Sequence, residues 1–586
     1  MPRAAGFQTA PFFAEKAMIG IMKHSRGETI FYLAVAAALA AVFCALPPLG
    51  LYSNEEGVRY VQMKNFALNG SLSIPYPGEN LGLEPEALVK GGGYFRLRDG
   101  KIQTLCAPLF PYLTSLVYPL FGDRAIHFLP LFFFFLTLVV LGRTLILVMK
   151  PGGRYFCLLL VYLLGSPVFL FLFGFAENTA VVFLVTVALY FLVRHYRRSP
   201  SAANFFFASL SMGGAVFFSS AALFIFASFV LAGGLVFCWD KRWRDLSALM
   251  GGALAAIAAL MISDGLLYGQ IPGPYLADFF HDHPLSETRI ALFAAILSLS
   301  LLISFIARRA GLGASWVPVS HVLLVILLMT AVLITSARHS VLPFVLSFPA
   351  VLFTFYGIGG CQEARAEGRG SIELILAGTV LICLLLASSV VRPNDWTTLK
   401  ACLPTVPLAV LAMGLSGDRL FRYPGMYGLL ALTAAIALFL GIGEAKANFW
   451  RYTVHNDAQV DFQKRQTGPG DVIIFDNMGS MEHAGPLFFD RVFLVARGRQ
   501  IEPLLQRLRE MGVKQCHVWT RDTQLKFQIG NPYDDRKKEL NASLSRCGSC
   551  TASCMGGFSL LHVELEREQT VEKNRKGRPG GRSGQG

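Results

Sequence analysis

Charge is scarce in this chain. Asp, Glu, Lys and Arg make up 15% of its 586 residues, against roughly a quarter in soluble domains. With 54% hydrophobic residues, that shortage excludes an ordinary soluble enzyme. A small-residue cleavage site is also missing after the first apolar run, residues 29–49, so the run reads as a retained helix rather than a signal peptide. The "GPGD" at 468–471 lacks the G-x-G-x-x-G spacing of a dinucleotide loop. Acids are the minority charge, 38 against 52 Lys and Arg, for a net charge of +14. The basic residues sit between apolar runs and in the Gly-rich "EKNRKGRPGGRSGQG" rather than on one soluble face. That distribution fits positive-inside topology and excludes nucleic acid as the partner.

What is plentiful is apolar sequence. Runs of about 18 or more residues recur and read as membrane-spanning helices. Lys16, Lys23 and Arg26 precede the first and place the N-terminus in the cytoplasm. Keeping the later basic groups on the same side gives about thirteen spans, near 29–49, 124–148, 155–173, 177–194, 203–219, 221–238, 246–268, 289–307, 315–335, 340–358, 371–391, 397–416 and 424–442. Ser219-Ser220 divides the long run 203–238 into two helices. The expected organisation is a cytoplasmic N-terminus over 1–28 and a transmembrane domain over 29–442 with an outer loop at 50–107. An extracytoplasmic domain over 443–566 and a basic disordered tail over 567–586 follow. In the third part "DVIIF", "RVFLV" and "QCHVW" read as strands, and "IEPLLQRLREMG" as a helix closed by Gly512, which makes a small α/β domain.

Cys547, Cys550 and Cys554 form a C-x-x-C-x-x-x-C run, and Cys516 is a fourth candidate. On an oxidising side of the membrane these suit disulfides, and the same spacing can hold a metal. "DFFHDH" supplies Asp278, His281 and His283, donors that can take a divalent metal or simply face water.

The outer loop opens on "SNEEGVRYVQMKNFALNG". Ser53 with Glu56 three residues on fits a capping box, and Gly70 fits a helix stop. The segment is too short and polar to span, so it is expected to lie along the membrane surface, with Val58, Val61, Met63 and Phe66 as an apolar flank. The cap gives Glu56 a structural job and leaves Glu55 without one. Farther on come "YFRLRDGK" and then "APLFPYLTSLVYPLFG", a second short amphipathic or re-entrant segment with prolines near its ends.

This order (apolar helix, acid pair, "RY", a helix closing at "NG", a "YF" turn, a basic residue, then "PLFPYLTSLVYPLFG") resembles the GT-C class of membrane glycosyltransferases. The branch is that of the lipid A aminoarabinose transferases and protein O-mannosyltransferases. Looser echoes follow around Glu177, at "YGQIPGPY" and at "SARHSVLPF". The resemblance implies a polytopic α-helical fold and transfer of a sugar from a polyprenyl-phosphate carrier to a lipid, protein or glycan acceptor. It places the reaction at the outer face of a bacterial inner membrane. By its register Glu55 takes the position of the catalytic acid. Glu56, Arg59, Tyr60, Lys101, Arg338 and His339 become substrate-binding candidates, with a divalent metal as a possible cofactor. Two departures stand out: Glu55 replaces the family's Asp, and "GKIQTLCAPL" replaces its "Lys-Pro-Pro-Leu".

Arg338 and His339 also read simply as a solvated outer turn, and Glu177 as a helix N-terminal acid stabilised by the dipole or, alternatively, as a structural or substrate contact. Two other functions fit the apolar bulk. One is a flippase of lipid-linked saccharide, though few charges within the spans and no internal repeat speak against it. The other is a non-catalytic membrane scaffold.

Overall fold

The computed structural model describes residues 26–48, 51, 53–83, 94–98, 101–166, 168, 172, 174–277, isolated positions between 372 and 383, 403–415, 451–476, 478–496, 500–521, 550–555 and 558–565. The spans expected near 289–307, 315–335, 340–358 and 424–442 lie outside the described residues.

Helix α1 (Arg26–Ala45) is followed by the capped helix α2 (Asn54–Asn69) and a two-stranded hairpin, β1 (Phe95–Arg98) with β2 (Lys101–Thr104). Then come α3 (Leu109–Phe121), α4 (Ala125–Ile146), α5 (Gly153–Gly165), α6 (Asn178–Arg197), α7 (Ala202–Gly214), α8 (Ala222–Trp239) and α9 (Trp243–Tyr268). Helix α10 (Thr405–Leu415) rejoins the bundle. Among the described residues, five helical segments are long and apolar enough to cross a membrane: Arg26–Ala45, Leu109–Ile146, Asn178–Arg197, Ala222–Trp239 and Trp243–Tyr268. The chain is a multi-pass membrane protein.

Local chemistry sets the breaks. Helix α7 tightens into a 3-10 turn over Ala215–Phe217, and α8 restarts at Ala222, so the run does divide at Ser219-Ser220. Helix α3 stops at Gly122, whose φ of 57° suits only a residue without a side chain. The span expected over 155–173 is cut short: α5 ends at Gly165, and Ser166 is extended at ψ 146°. Ser166 precedes Pro167, and the proline ring pushes the residue before it out of the helical region.

Beyond the bundle, α11 (Arg451–Gln466) leads into β3 (Val472–Phe475), the short helix α12 (Met478–His483), β4 (Val492–Val495), α13 (Ile501–Glu510), β5 (Gln515–Arg521) and the hairpin β6 (Cys550–Met555) with β7 (Phe558–Glu564). The sheet order is β4-β3-β5-β7-β6, parallel among the first three strands and antiparallel in the last two pairings. Ile501, Leu505 and Leu508 give α13 its buried stripe, at the four- and three-residue steps of a helix face. Strands β3 and β4 are buried on both faces, as parallel strands under helices require.

Two apolar cores result. One lies among the membrane helices, with Phe110, Phe134, Tyr162, Phe175 and Leu189 at its centre. The other unites the outer loop with the C-terminal sheet: Ile74, Tyr76, Phe95, Ile102 and Cys106 pack with Phe475, Phe488, Phe493 and Trp519. Phe95 stacks on Phe488 at 5.8 Å, and the Tyr76 hydroxyl donates to the Phe493 carbonyl at 3.1 Å. Helix α2 joins the cores. Its Tyr60 and Met63 belong to the membrane core, while its Val58 and Val61 belong to the outer one. The helix is therefore not laid on a membrane surface with one wet side; Glu56 to Met63 are all buried.

Candidate functional site

The start of α2 is fixed by its cap. The Ser53 hydroxyl accepts from the Glu56 N–H at 3.3 Å, and Gly70 closes the helix at φ 62°. At 3.6 residues per turn, a step of four puts Glu55 and Arg59 on one face, where they pair. Arg59 also reaches Glu177 at 2.5 Å, and its Nη1 donates to the Phe175 carbonyl at 3.1 Å. One guanidinium thus bridges an acid from the outer loop and an acid at the start of α6.

Burial separates the two acids. Side-chain exposure is 3% for Glu177, 4% for Arg59 and 23% for Glu55. Burial by itself disfavours the charged form of Arg59; the charges of Glu177 and then Glu55 outweigh it, and the guanidinium is held charged more firmly than usual. Glu177 neutralises Arg59 inside the protein, and Glu55 is the member of the three that faces out. The Glu55 backbone carbonyl also accepts a long contact from Cys106 Sγ, 3.9 Å, which ties the end of the hairpin to this turn.

Tyr60 points away from this cluster. Its hydroxyl donates to Asp123, which also accepts from Tyr118 at 3.3 Å. Burial and then the Asp123 charge push the Tyr60 hydroxyl well above the usual phenol range, so it stays a donor. Tyr60 therefore ties α2 to the α3–α4 turn. Glu56 is 3% exposed. Lys101 is exposed on β2 and lines a cleft of about 330 Å³ with Asn69, Ser73, Ile74, Pro75, Glu79 and Ile102, none of which belongs to the Glu55 cluster.

Of the two parts expected of Glu177, the structure shows the structural contact. The residue precedes α6, but its side chain makes no cap hydrogen bond; it holds Arg59 instead. Glu482, an acid in α12 that the sequence did not single out, accepts from the Tyr94 N–H at 2.9 Å and feels the charge of Glu55. Neither role leaves a signal in the sequence, since each partner lies more than a hundred residues away.

Arg338, His339, Asp278, His281 and His283 lie outside the described residues, as does Cys547. No group of three or more His, Cys, Asp or Glu side chains suited to a metal occurs among the described residues. Cys516 is fully buried on β5. In register both Cys516 and Cys550 face Val563 of β7, from opposite sides. Two strand spacings, roughly 9–10 Å, separate them, which is beyond the reach of a disulfide.

No family model matches the chain, and no curated protein matches its sequence. Solved structures do. ArnT of Cupriavidus metallidurans in the apo state superposes with a TM-score of 0.55 at 13% identity, covering 92% of this chain and 97% of ArnT. ArnT bound to undecaprenyl phosphate gives 0.52 at 12% identity, covering 92% and 98%. The oligosaccharyltransferase AglB of Archaeoglobus fulgidus, in complex with an inhibitory peptide and a dolichol-phosphate, gives 0.46 at 13% identity, covering 93% and 76%. Over nearly its whole length, the chain has the fold of ArnT, an aminoarabinose transferase of the GT-C class.

Proposed function

We propose that the protein is a membrane glycosyltransferase that moves a sugar from a polyprenyl-phosphate carrier to an acceptor hydroxyl, with Glu55 as general base. One observation carries the reading. A partly exposed acid, aligned by a buried Arg59 that a second buried acid neutralises, stands where the membrane core meets the outer one. A lipid carrier presents its head group at that level. The ArnT fold and the carrier lipid bound to ArnT support the same substrate class.

In the reaction the acceptor oxygen attacks the anomeric carbon. The bond from that carbon to the phosphate oxygen breaks, and the lipid phosphate leaves with the electron pair. Glu55 takes the acceptor's proton, a contribution of typically ~10²–10⁴-fold. Arg59 fixes the direction of that carboxylate. Cations must meet the departing phosphate; Arg338 and His339 are the proposed candidates, whereas Lys101 lines its cleft with Asn69, at the opposite end of α2 from Glu55. The extra methylene of Glu over Asp extends the base toward the acceptor.

The wider reading comprises thirteen spans, a transmembrane domain over 29–442 and an extracytoplasmic α/β domain over 443–566. The N-terminus lies in the cytoplasm and the C-terminal sheet in the periplasm of a bacterial inner membrane.

The test uses the full chain in lipid nanodiscs with radiolabelled undecaprenyl-phosphate-linked glucose, mannose and 4-amino-4-deoxyarabinose. Lipid, peptide and glycan fractions of cell envelope serve as acceptors. At least one donor is expected to be turned over, and Glu55→Gln to reduce that turnover by 10²-fold or more. Unimpaired transfer by the variant would remove Glu55 as base. Movement of labelled donor between leaflets without transfer would replace the enzyme by a flippase.

A further inference from the structure

The C-terminal sheet brings an acid of its own to the neighbourhood of Glu55. Glu482 lies in "MGSMEHAGPLFF", on α12, and is 2% exposed. So buried a carboxyl is costly unless it is bonded or neutral. Its Oε1 accepts from the Tyr94 N–H, which leads directly into β1.

The segment that carries it is seated on α2. A side chain added at Gly485 would begin 2.6 Å from the Gly57 carbonyl, so the two backbones touch. Lys64 Nζ donates to the Pro486 carbonyl at 3.5 Å. Met481, Ala484 and Leu487 share one core with Val58 and Val61. Gly57 is two residues from Glu55, in the same helical turn.

Among the described residues, few charged groups surround Glu482. From α2 Glu55 acts on it; Lys64 is engaged by Pro486 and stands over the Phe489 ring. The neighbouring strands β3 and β4 present only buried apolar side chains, Val472–Phe475 and Val492–Val495. The hairpin offers the Tyr94 N–H, and Arg491 beyond the turn is bonded to Thr467. Burial pushes the Glu482 carboxyl up to about 7; the Tyr94 N–H opposes it, and the charge of Glu55 adds a smaller upward push.

We propose that Glu482 is a positioning residue of the transfer site: it holds strand β1 beside α2, and its ionised form strengthens Glu55 as proton acceptor. The inference rests on the reading of Glu55 as base. The sign follows from like charges. Below about pH 7 Glu482 is neutral and leaves Glu55 under the influence of Arg59. Above it, a second anion nearby makes Glu55 hold a proton more tightly, so kcat rises with pH through that point.

Glu482→Gln separates tether from charge, because the Gln carbonyl accepts the Tyr94 N–H as the carboxylate does. In the same nanodisc assay the variant is expected to lose the rise near pH 7 and to fall about tenfold in kcat at pH 8. A purely structural Glu482 would leave the pH profile of Glu482→Gln unchanged, and that result overturns the proposal. A second measurement needs no turnover. Infrared difference spectra of wild type minus Glu482→Gln between pH 5 and 9 should show one carboxylic-acid band that disappears near pH 7. In a Glu55→Gln background the midpoint should move down, and an unmoved midpoint overturns the coupling. If the band moves but Glu55→Gln is fully active, the coupling stands and the base assignment beneath it fails.

Discussion

The two cores differ in kind. The membrane core is a single apolar mass, built largely from helices that follow one another between Tyr32 and Leu276 and joined by residues between Ile372 and Met413, and it needs little but length and hydrophobicity. The outer core is assembled from pieces some 400 residues apart: loop residues such as Tyr76 and Phe95 meet Phe488 and Phe493. The first could be read helix by helix. The second is held by a handful of specific contacts. Three acids sit where the two meet, Glu177 from the membrane side, Glu55 from α2 and Glu482 from α12. Glu55 is thus not a solitary surface charge. It is positioned from both sides.

The largest effect is expected where the cores are joined by charge. Arg59→Met leaves Glu177 buried without its partner, and stability should fall by about 3–5 kcal/mol. Thermal unfolding in detergent would show it, and transfer activity should vanish with it. A smaller loss would mean that Glu177 finds water or another donor. A steric break comes next. Gly485→Ala drives a methyl into the Gly57 carbonyl, and about 1–3 kcal/mol is expected. Limited proteolysis should then cut the C-terminal sheet faster while the membrane helices stay protected. If both regions loosen together, the two cores are one cooperative unit. The smallest effect is Tyr76→Phe. It removes one hydrogen bond to Phe493, at a cost of about 1 kcal/mol, and should leave transfer unchanged.

The described membrane helices were legible because burial in lipid demands only long apolar runs, and the break at Ser219-Ser220 follows from local chemistry. Span 155–173 was overextended because one proline, Pro167, outweighed an apolar run. The cap at Ser53 and the stop at Gly70 were readable for the same local reason. The role of α2 was not. Its apolar residues looked imperfectly spaced for a one-sided helix, and the structure explains why: Tyr60 and Met63 serve one core, Val58 and Val61 the other. Two overlapping stripes blur the period of each. Within the site, Glu55 and Arg59 were both singled out by the family register, but not as a pair; the four-residue step that joins them shows only once the helix is in place. The partnerships of Glu177 and Glu482 were not legible, since no local pattern encodes contact across such distances.

The touching backbones of Gly57 and Gly485 set an order on biosynthesis. Helix α2 is made early and the turn that covers it is made some 430 residues later. Because chains fold as they emerge, N-terminal parts first, Glu55 waits at the membrane through most of synthesis with one side of its helix bare. Only when the C-terminal sheet has reached the same side of the membrane does that helix acquire its cover. The surroundings of Glu55 are therefore completed last, and a chain truncated before residue 478 would insert into the membrane without ever covering that face of α2.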